Sequence, residues 1–321
     1  MVPLHLNAMR EPIGGLVSII IPAYNCDAYV AEAIESVLAQ DYPEKQIIVV
    51  NDGSSDNTLE VLRSFGDSIH VIDQVNAGPP KARNSGLKAV GGEFVAFLDA
   101  DDVWLPGKLS AQVAHLQAHP DVGTVFTNWH VWSVDPDGEF RIPTATCPPK
   151  AGVQLIEQRS GWMYTRLLLE CHLLTTTVMM RSMLIRQIGA FDINLYNGDD
   201  YDYWLRASRV AKIDKLDCTG AFYRVVPGSV SRKARPVNDE KIVIEQALRR
   251  WGRRGPDHQE LDESTMRRHL EDLTTQFAYS HLVLGDPRIA LNNYMEVLKR
   301  SPLRVGLWPA FIKAAWCSAR G

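Results

Sequence analysis

A chain of 321 residues is long enough to bury a substantial hydrophobic core without disulfides or structural metals. Its hydrophobic fraction of 45% and charged fraction of 22% are ordinary for a soluble globular protein. The net charge of −4 gives no electrostatic reason to expect nucleic acid, so we exclude that class of partner.

Short β-rich runs alternate with helical patterns through the first half of the chain. The run "VSIIIPAY" (17–24) is nearly all apolar and too short for a helix, which predicts a strand buried on both faces. Apolar residues at helical spacing follow it, and the same alternation continues along the chain. We predict strands within 17–24, 46–56, 69–74, 93–102 and 123–133, of which the second runs into a turn and the fourth ends in acidic residues. We predict helices at 26–40, 57–65 and 107–120, and a loop and helix at 78–90. This order predicts an open, mostly parallel sheet flanked by helices, with ligands beyond the carboxyl ends of its strands.

The sequence pattern changes in the second half of the chain. Residues 143–181 are less regular and rich in Pro and Thr, whereas the sequence after about residue 239 is helical and highly charged. Residues 277–302 predict two helices joined by a Gly-Asp-Pro turn. No apolar run approaches the roughly 18–20 residues that cross a bilayer. We therefore expect an α/β fold with a helical C-terminal extension, preceded by a flexible leader at 1–15.

Five cysteines are the main indication of compartment. Their number is odd and they form no C-x-x-C pair, which argues against a disulfide framework and against a zinc cluster. The first residues carry no charged region followed by a long apolar core, so they do not predict a secretion signal. We therefore expect the protein to act in a reducing cytoplasm.

Two of the predicted strands end in residues suited to a nucleoside. Tyr24 follows the first strand, where its ring would stack on a base or, alternatively, pack in a loop. Asp52 follows the second strand, where its carboxylate would accept hydrogen bonds from a ribose or cap a turn. The residues alone leave both alternatives open.

The fourth strand ends in the acidic run "FLDADD" (97–102). Asp99 and Asp101 are two apart in an extended segment, so they project to the same side. Closely spaced carboxylates favour a cation between them, and oxygen ligands suit Mg²⁺ or Mn²⁺. Lys81 and Arg83 would face a diphosphate, with the planar Arg83 fork well matched to it, unless this segment is a solvated helix start.

A further acidic pair, Asp199 and Asp200, precedes a predicted helix. A carboxylate at a helix entrance is often an N-cap. Group transfer to a hydroxyl also needs a base that removes its proton. We predict that Asp200 is this base, with Asp199 as the second candidate.

Together these motifs resemble the family-2 inverting glycosyltransferases with the GT-A fold, of the non-processive type. The matching segments, in order, are "VSIIIPAYN", "IIVVNDGSSDNT", "NAGPPKARNSGL", "FLDADDVWLP", "IGAFD" and "GDDYDYWLR". The resemblance covers roughly residues 16–232. It implies a glycosyltransferase domain at 16–235, with a nucleotide-binding part at 16–130 and an acceptor-binding part at 131–235, followed by a helical region at 236–321.

The resemblance also implies roles for single residues. Asp200 matches the general base and Asp101 the metal-binding acid. The residues expected to contact the nucleotide are Pro22, Tyr24, Asn25, Asp52, Lys81, Arg83 and Asp99. The residues expected at the sugar and acceptor pocket are Trp104, Asp102 and Asp199.

The implied reaction is a metal-assisted single displacement that moves one sugar, with inversion, from a nucleotide-diphosphate sugar to a hydroxyl of a glycan or lipid-linked acceptor. Mn²⁺ or Mg²⁺ is the implied cofactor. UDP-linked donors are our default, while GDP and dTDP remain open. Two alternatives are a sugar nucleotidyltransferase and a catalytically idle nucleotide-sugar-binding protein. The first usually carries a Gly-rich basic loop after the first strand, where this chain reads "PAYNCDAY", and the retained Asp101 and Asp200 speak against the second.

Two departures from the family pattern concern the C-terminal side. Many members have a His after a Tyr-Arg pair, where this chain has Val226. The segment "QALRRW" (246–251) is one residue longer than the motif of processive members and predicts an amphipathic helix. The terminal stretch with Trp308 and Trp316 either rests on the inner face of the membrane or packs onto the catalytic domain.

Overall fold

A computed structural model describes residues 11–134, 140, 153–195, 197–226 and 235–319. The described residues divide into two compact units. The first is drawn from Met1–Leu167, Cys171–Val226 and Gly255–Asp257, and the second from Leu168–Glu170, Pro227–Arg254 and His258–Gly321.

The first unit contains one eight-stranded sheet. Its strands are β1 (Ile13–Ala23), β2 (Lys45–Asp52), β3 (His70–Gln74), β4 (Gly92–Phe97), β5 (Val103–Trp104), β6 (Val122–Trp132), β7 (Met179–Arg181) and β8 (Lys212–Arg224). The spatial order is β3-β2-β1-β4-β7-β6-β8-β5. β1 pairs in parallel with β2 and β4, β2 with β3, and β6 with β8, while β5 and β7 pair antiparallel with their neighbours. The predicted mostly parallel α/β sheet is confirmed.

Helices cover this sheet. They are α1 (Val30–Leu38), α2 (Thr58–Ser64), α3 (Pro79–Lys88), α4 (Lys108–Ala118), α5 (Tyr164–Leu167), α6 (Ser182–Ile188) and α7 (Asp199–Ser208). The buried stripe of α1 packs in the same core cluster as Ile19 and Ile21 of β1. On α3, a Cβ added to Gly86 would lie 2.5 Å from Ile20 Cγ2, so this helix approaches β1 as closely as a glycine allows.

The start of β1 differs from the prediction. The strand begins at Ile13, inside the segment that we predicted as a leader at 1–15, because its first residue is paired: Ile13 N donates a hydrogen bond to Gly91 O. Residues 1–10 of that segment lie outside the described residues. Residues 143–152 of the irregular segment predicted at 143–181 also lie outside the described residues.

The second unit is helical over its described residues. Its helices are α8 (Asp239–Trp251), α9 (Glu263–Leu284), α10 (Pro287–Arg300) and α11 (Trp308–Ser318). α9 and α10 are the two helices predicted around the Gly-Asp-Pro turn, with Asp286 capping α10 by accepting from Arg288 N. The "QALRRW" segment lies within α8, as the amphipathic-helix prediction requires. Among the described residues, no helix is both long enough and apolar enough to cross a membrane.

Candidate active site

The carboxyl ends of β1, β2 and β4 lie at one edge of the sheet, because these neighbouring strands are parallel. The loop beginning at Tyr24 follows β1, Asp52 is the last residue of β2, and Asp99 lies two residues after β4. In open α/β sheets this edge is where ligands bind. The three motifs predicted to contact the donor are therefore brought together by topology.

The loops after β1 and β2 are tied to each other. Asn25 has a positive φ of 46°, and its Oδ1 accepts a hydrogen bond from Ser55 N at 2.8 Å. Asn25 N donates to Ser54 Oγ at 3.0 Å, which closes the link from the other side. Tyr24 projects from this joined loop with 52% of its surface exposed, while Pro22 is half-buried within β1. An exposed ring on a fixed loop suits stacking on a base.

Asp52 is buried and holds the loop that leads into α3. Its Oδ1 accepts hydrogen bonds from Gln74 Nε2 (2.6 Å) and Ala77 N (3.0 Å), and its Oδ2 accepts from Gly78 N (2.8 Å). The structure therefore gives Asp52 a role in shaping the loop. In the first turn of α3, Lys81 is exposed.

Arg83 bridges two carboxylates instead of lying open to a diphosphate. It is 7% exposed, and its two terminal nitrogens lie 3.0 Å from Asp99 Oδ1 and 2.7 Å from Asp199 Oδ2. A planar guanidinium can bind two carboxylates at fixed angles, which a lysine cannot do. The neighbouring Asn84 exchanges hydrogen bonds with the backbone of Phe191, through Nδ2 to Phe191 O and from Phe191 N to Oδ1. α3 thus joins the end of β4 to the segment that enters α7.

The predicted base lies at the start of α7. Gly198 has a positive φ of 81° and turns the chain into this helix. Asp199 is buried against Arg83, and burial raises the pKa of Asp199 to about 6 although Arg83 opposes that rise. Asp200 is half-buried, and its Oδ2 accepts a hydrogen bond from Thr175 Oγ1 at 2.9 Å. Thr175 thus orients the Asp200 carboxylate.

The acidic run after β4 is crowded. Burial, and then the neighbouring Asp99, raise the pKa of Asp101 to about 6. Burial, and then the carboxylates of Asp99 and Asp101, raise the pKa of Asp102 well above its ordinary value. A divalent cation would relieve this repulsion, so the donor set fits a hard cation. Within the described part of the chain, no three His, Cys, Asp or Glu side chains form a group able to hold a metal by themselves, so further ligands would come from water and substrate phosphate.

Asp102 and Trp104 lie in the interior, which corrects their predicted place in the sugar and acceptor pocket. Asp102 is fully buried, and its Oδ1 accepts a hydrogen bond from Arg224 N at 2.9 Å. Trp104 is 2% exposed and donates from Nε1 to Thr176 O at 2.7 Å. Trp104 is buried where β5 pairs with β8, and Asp102 is held beside it by the hydrogen bond from the backbone of β8.

Arg224 is a residue of the site that the sequence analysis missed. It is 3% exposed, donates from Nε to Asp101 O at 2.7 Å and forms an ion pair with Glu32. Its guanidinium lies 4.1 Å from the centroid of the Trp132 ring and 4.6 Å from that of Phe140. The sequence signal was a basic residue directly after the apolar run 221–223 at the end of β8. Two residues later, the half-buried Val226 occupies the place where the resemblance expects a His.

Comparison with known proteins decides the family. The model of "Glycosyl transferase family 2" matches residues 18–173. The chain is 30% identical over 236 residues to the UDP-Glc:α-D-GlcNAc-diphosphoundecaprenol β-1,3-glucosyltransferase WfaP of Escherichia coli, covering 72% of this chain and 84% of that protein. The chain belongs to glycosyl transferase family 2.

Another relative in the family is an uncharacterized glycosyltransferase of Rickettsia prowazekii, 35% identical over 208 residues, which are 62% of this chain. The chain spans 60% of the length of that relative. Among solved structures, residues 1–349 of Staphylococcus aureus TarS in complex with UDP-GlcNAc have a TM-score of 0.62 and 21% identity, covering 94% of this chain and 88% of that one. This similarity confirms the predicted GT-A fold of the family-2 chain.

Proposed function

We propose that the chain transfers a single sugar from a nucleotide-diphosphate sugar, by default a UDP-sugar, to a hydroxyl of a glycan or lipid-linked acceptor. The observation that carries this proposal is the Asp99–Arg83–Asp199 bridge, which joins the acidic run after β4 to the start of the helix that bears Asp200. The UDP-Glc donor and the GlcNAc-diphosphoundecaprenol acceptor of WfaP, and the UDP-GlcNAc bound to TarS, support the donor and acceptor classes.

The proposed reaction is a single displacement with inversion at the sugar. The Asp200 carboxylate takes the proton of the acceptor hydroxyl, whose oxygen forms a bond to C1 of the sugar. The bond from C1 to the diphosphate breaks at the same time, and the nucleoside diphosphate leaves with the electron pair. The hydrogen bond from Thr175 fixes the direction of Asp200 toward this proton.

In this proposal, residues at the carboxyl edge of the sheet contact the nucleotide of the donor. Tyr24 stacks on the base, and Asn25 holds the loop that carries it. Pro22, Asp52, Lys81 and Asp99 complete the nucleotide site, with Asp52 acting through the loop that it shapes.

The cofactor in this proposal is Mn²⁺ or Mg²⁺, held by Asp101. When bound, the cation supplies positive charge that stabilises the departing diphosphate. Arg224 keeps the Asp101 carbonyl in place through its Nε. We further propose that the enzyme acts in the cytoplasm.

The test begins with the base. Asp200→Asn should retain nucleotide affinity, because the substitution changes one atom, while sugar transfer falls by about 10²- to 10⁴-fold as expected for the loss of a general base. Transfer is followed by release of UDP from a panel of UDP-sugars with Mn²⁺ and a short-chain GlcNAc-diphospho-lipid acceptor. Nucleotide affinity is measured by thermal shift with UDP, GDP and dTDP, each with and without Mn²⁺.

Asp67→Asn is the matched control, since Asp67 is an exposed carboxylate in the turn before β3, at the amino edge of the sheet. Its transfer rate should equal that of the wild type. Full transfer by Asp200→Asn would show that Asp200 is not the base. Binding of no nucleoside diphosphate by the wild type, with or without Mn²⁺, would contradict the proposed function itself.

A further inference from the structure

The C-terminal part of the helical unit carries an exposed apolar surface. Within residues 303–316 the exposed fractions are 89% for Leu303, 73% for Val305, 42% for Trp308, 62% for Ile312 and 55% for Trp316. Trp308, Ile312 and Trp316 are four residues apart in α11, so they form one stripe along the helix. Single exposed apolar residues are ordinary, but five within one short segment, three of them along one helix stripe, favour a binding surface.

This stripe is a second apolar face of α11. The first face is already buried: Ala314 forms a core cluster with Ala278, Ala290 and Tyr294, and Phe311 packs against that cluster. Packing within the helical unit therefore accounts for the buried side of the helix and leaves the stripe at the surface. We call the five exposed side chains the α11 surface.

The charge of the same segment is of one sign. Residues 299–321 contain five basic residues (Lys299, Arg300, Arg304, Lys313 and Arg320) and no Asp or Glu. Since the whole chain has 34 Lys and Arg against 38 Asp and Glu, residues 1–298 carry 29 against 38, a net −9. Arg300 forms an ion pair with Glu296, and Arg304 forms ion pairs with Glu271 and Asp272. Lys299 and Lys313 are exposed, and Lys313 directly follows Ile312 in α11. The segment is thus a basic region on an acidic protein.

We propose that the α11 surface binds the interface of a membrane that contains anionic lipids. Tryptophan favours the boundary between acyl chains and headgroups, the aliphatic residues enter the acyl region, and exposed lysines are attracted to anionic headgroups. A helix of 11 residues lies in the plane of the interface, since it is far shorter than a bilayer is thick. The surface does not depend on sugar transfer, but it would bring the enzyme to a lipid-linked acceptor of the kind proposed above.

The experiment is co-sedimentation of the full chain with vesicles of phosphatidylcholine, either alone or mixed with an equal part of phosphatidylglycerol. We expect binding to the mixed vesicles, little binding to phosphatidylcholine alone, and weaker binding as salt is raised. The double variant Leu303→Ser/Ile312→Ser should bind the mixed vesicles about tenfold more weakly, because it removes two exposed aliphatic side chains from the buried area. Lys313→Gln should weaken binding several-fold.

The matched control is Ile13→Ser/Met183→Ser, which removes two side chains that are 61% and 58% exposed in the other unit and should bind vesicles as the wild type does. Circular dichroism checks that each variant is folded. Asp200→Asn should also bind vesicles normally, which separates failure of the membrane proposal from failure of the catalytic one.

Three outcomes would overturn the proposal. The first is that the wild type does not bind the mixed vesicles. The second is that the Leu303→Ser/Ile312→Ser variant binds them as tightly as the wild type. The third is that light scattering shows a dimer that this variant makes monomeric while vesicle binding is absent, in which case the α11 surface pairs with a second copy of the chain.

Discussion

The loops after β1 and β2 of the candidate site, here called the donor side, are held by contacts between residues close in sequence. The acidic run after β4 and the start of α7, here called the catalytic side, are held by contacts across more than a hundred residues. On the donor side, Asn25 contacts Ser55, 30 residues away, and Asp52 contacts Gly78, 26 residues away. On the catalytic side, Arg83 contacts Asp199 across 116 residues, and Arg224 contacts Asp101 across 123.

This difference determines whether a substitution should affect mainly nucleotide binding or mainly the stability of the site. The donor side carries the exposed Tyr24, where a substitution should alter one proposed contact with the nucleotide, whereas Asp52 is buried and shapes its loop. The catalytic side depends on buried arginines that each satisfy two or more partners. Removing one of them leaves buried polar groups without their partners, which is costly. Substitutions on the donor side should therefore mainly weaken nucleotide binding, whereas those on the catalytic side should lower both stability and the rate of sugar transfer.

The largest effect is expected for Arg224→Met, which preserves length but removes the guanidinium. The free energy of unfolding should fall by about 2–4 kcal/mol, because hydrogen bonds to charged groups contribute about 1.5–3 kcal/mol and cation–π contacts add about 1. Sugar transfer should fall about 100-fold, since a displacement of about 1 Å at a reacting centre has that effect. Urea unfolding, transfer assays and Mn²⁺ affinity by electron paramagnetic resonance measure these changes.

Glu32→Gln is the control for Arg224. It removes the ion pair, whose acidic partner is 38% exposed, but keeps the hydrogen bond from Arg224 to Asp101. A partly exposed pair contributes roughly 0–1 kcal/mol, so this variant should remain close to the wild type. If Arg224→Met kept the wild-type Mn²⁺ affinity and transfer rate, the positioning role of Arg224 would be wrong.

A smaller but still large effect is expected for Arg83→Lys. An ammonium group cannot hold Asp99 and Asp199 at once in the geometry of the guanidinium fork, so the bridge between the end of β4 and the start of α7 should open. We expect kcat to fall by roughly 10- to 100-fold with a smaller change in nucleotide affinity. Arg63→Lys, at an exposed position of α2, is the matched control and should be neutral. Equal losses in affinity and kcat would instead indicate that Arg83 binds the donor directly.

The same difference explains what the sequence could predict. Buried strands such as β1 are recognisable because a run of apolar residues depends on local pattern alone, and the motifs at strand ends follow from it. The carboxyl edge with Tyr24, Asp52 and Asp99 was therefore within reach of sequence reasoning, as was the α9–α10 hairpin. The fold prediction is confirmed for these reasons.

The remaining features depend on pairings that no local pattern carries. β5 is two residues long, and its pairing with β8 buries Trp104, which periodicity cannot reveal. Arg224 gains its importance from Asp101 and Glu32, both more than 120 residues away. Arg83 was predicted to face a diphosphate because one of its two carboxylate partners, Asp199, lies 116 residues away. Such positions need the folded structure.

The donor side provides the smallest expected change, and the most selective one. Tyr24→Ala removes an exposed ring on a loop that is held by backbone and Asn25 contacts, so the free energy of unfolding should change by no more than about 0.5 kcal/mol. Loss of base stacking should weaken nucleotide binding by roughly 5- to 100-fold, as stacking of about 1–3 kcal/mol implies. Tyr24→Phe keeps the ring and should bind as the wild type does, whereas a change in UDP affinity for Tyr24→Phe would point to the hydroxyl. If Tyr24→Ala bound UDP normally but unfolded more easily, the ring would serve the loop rather than the base, and the donor side would resemble the catalytic side after all.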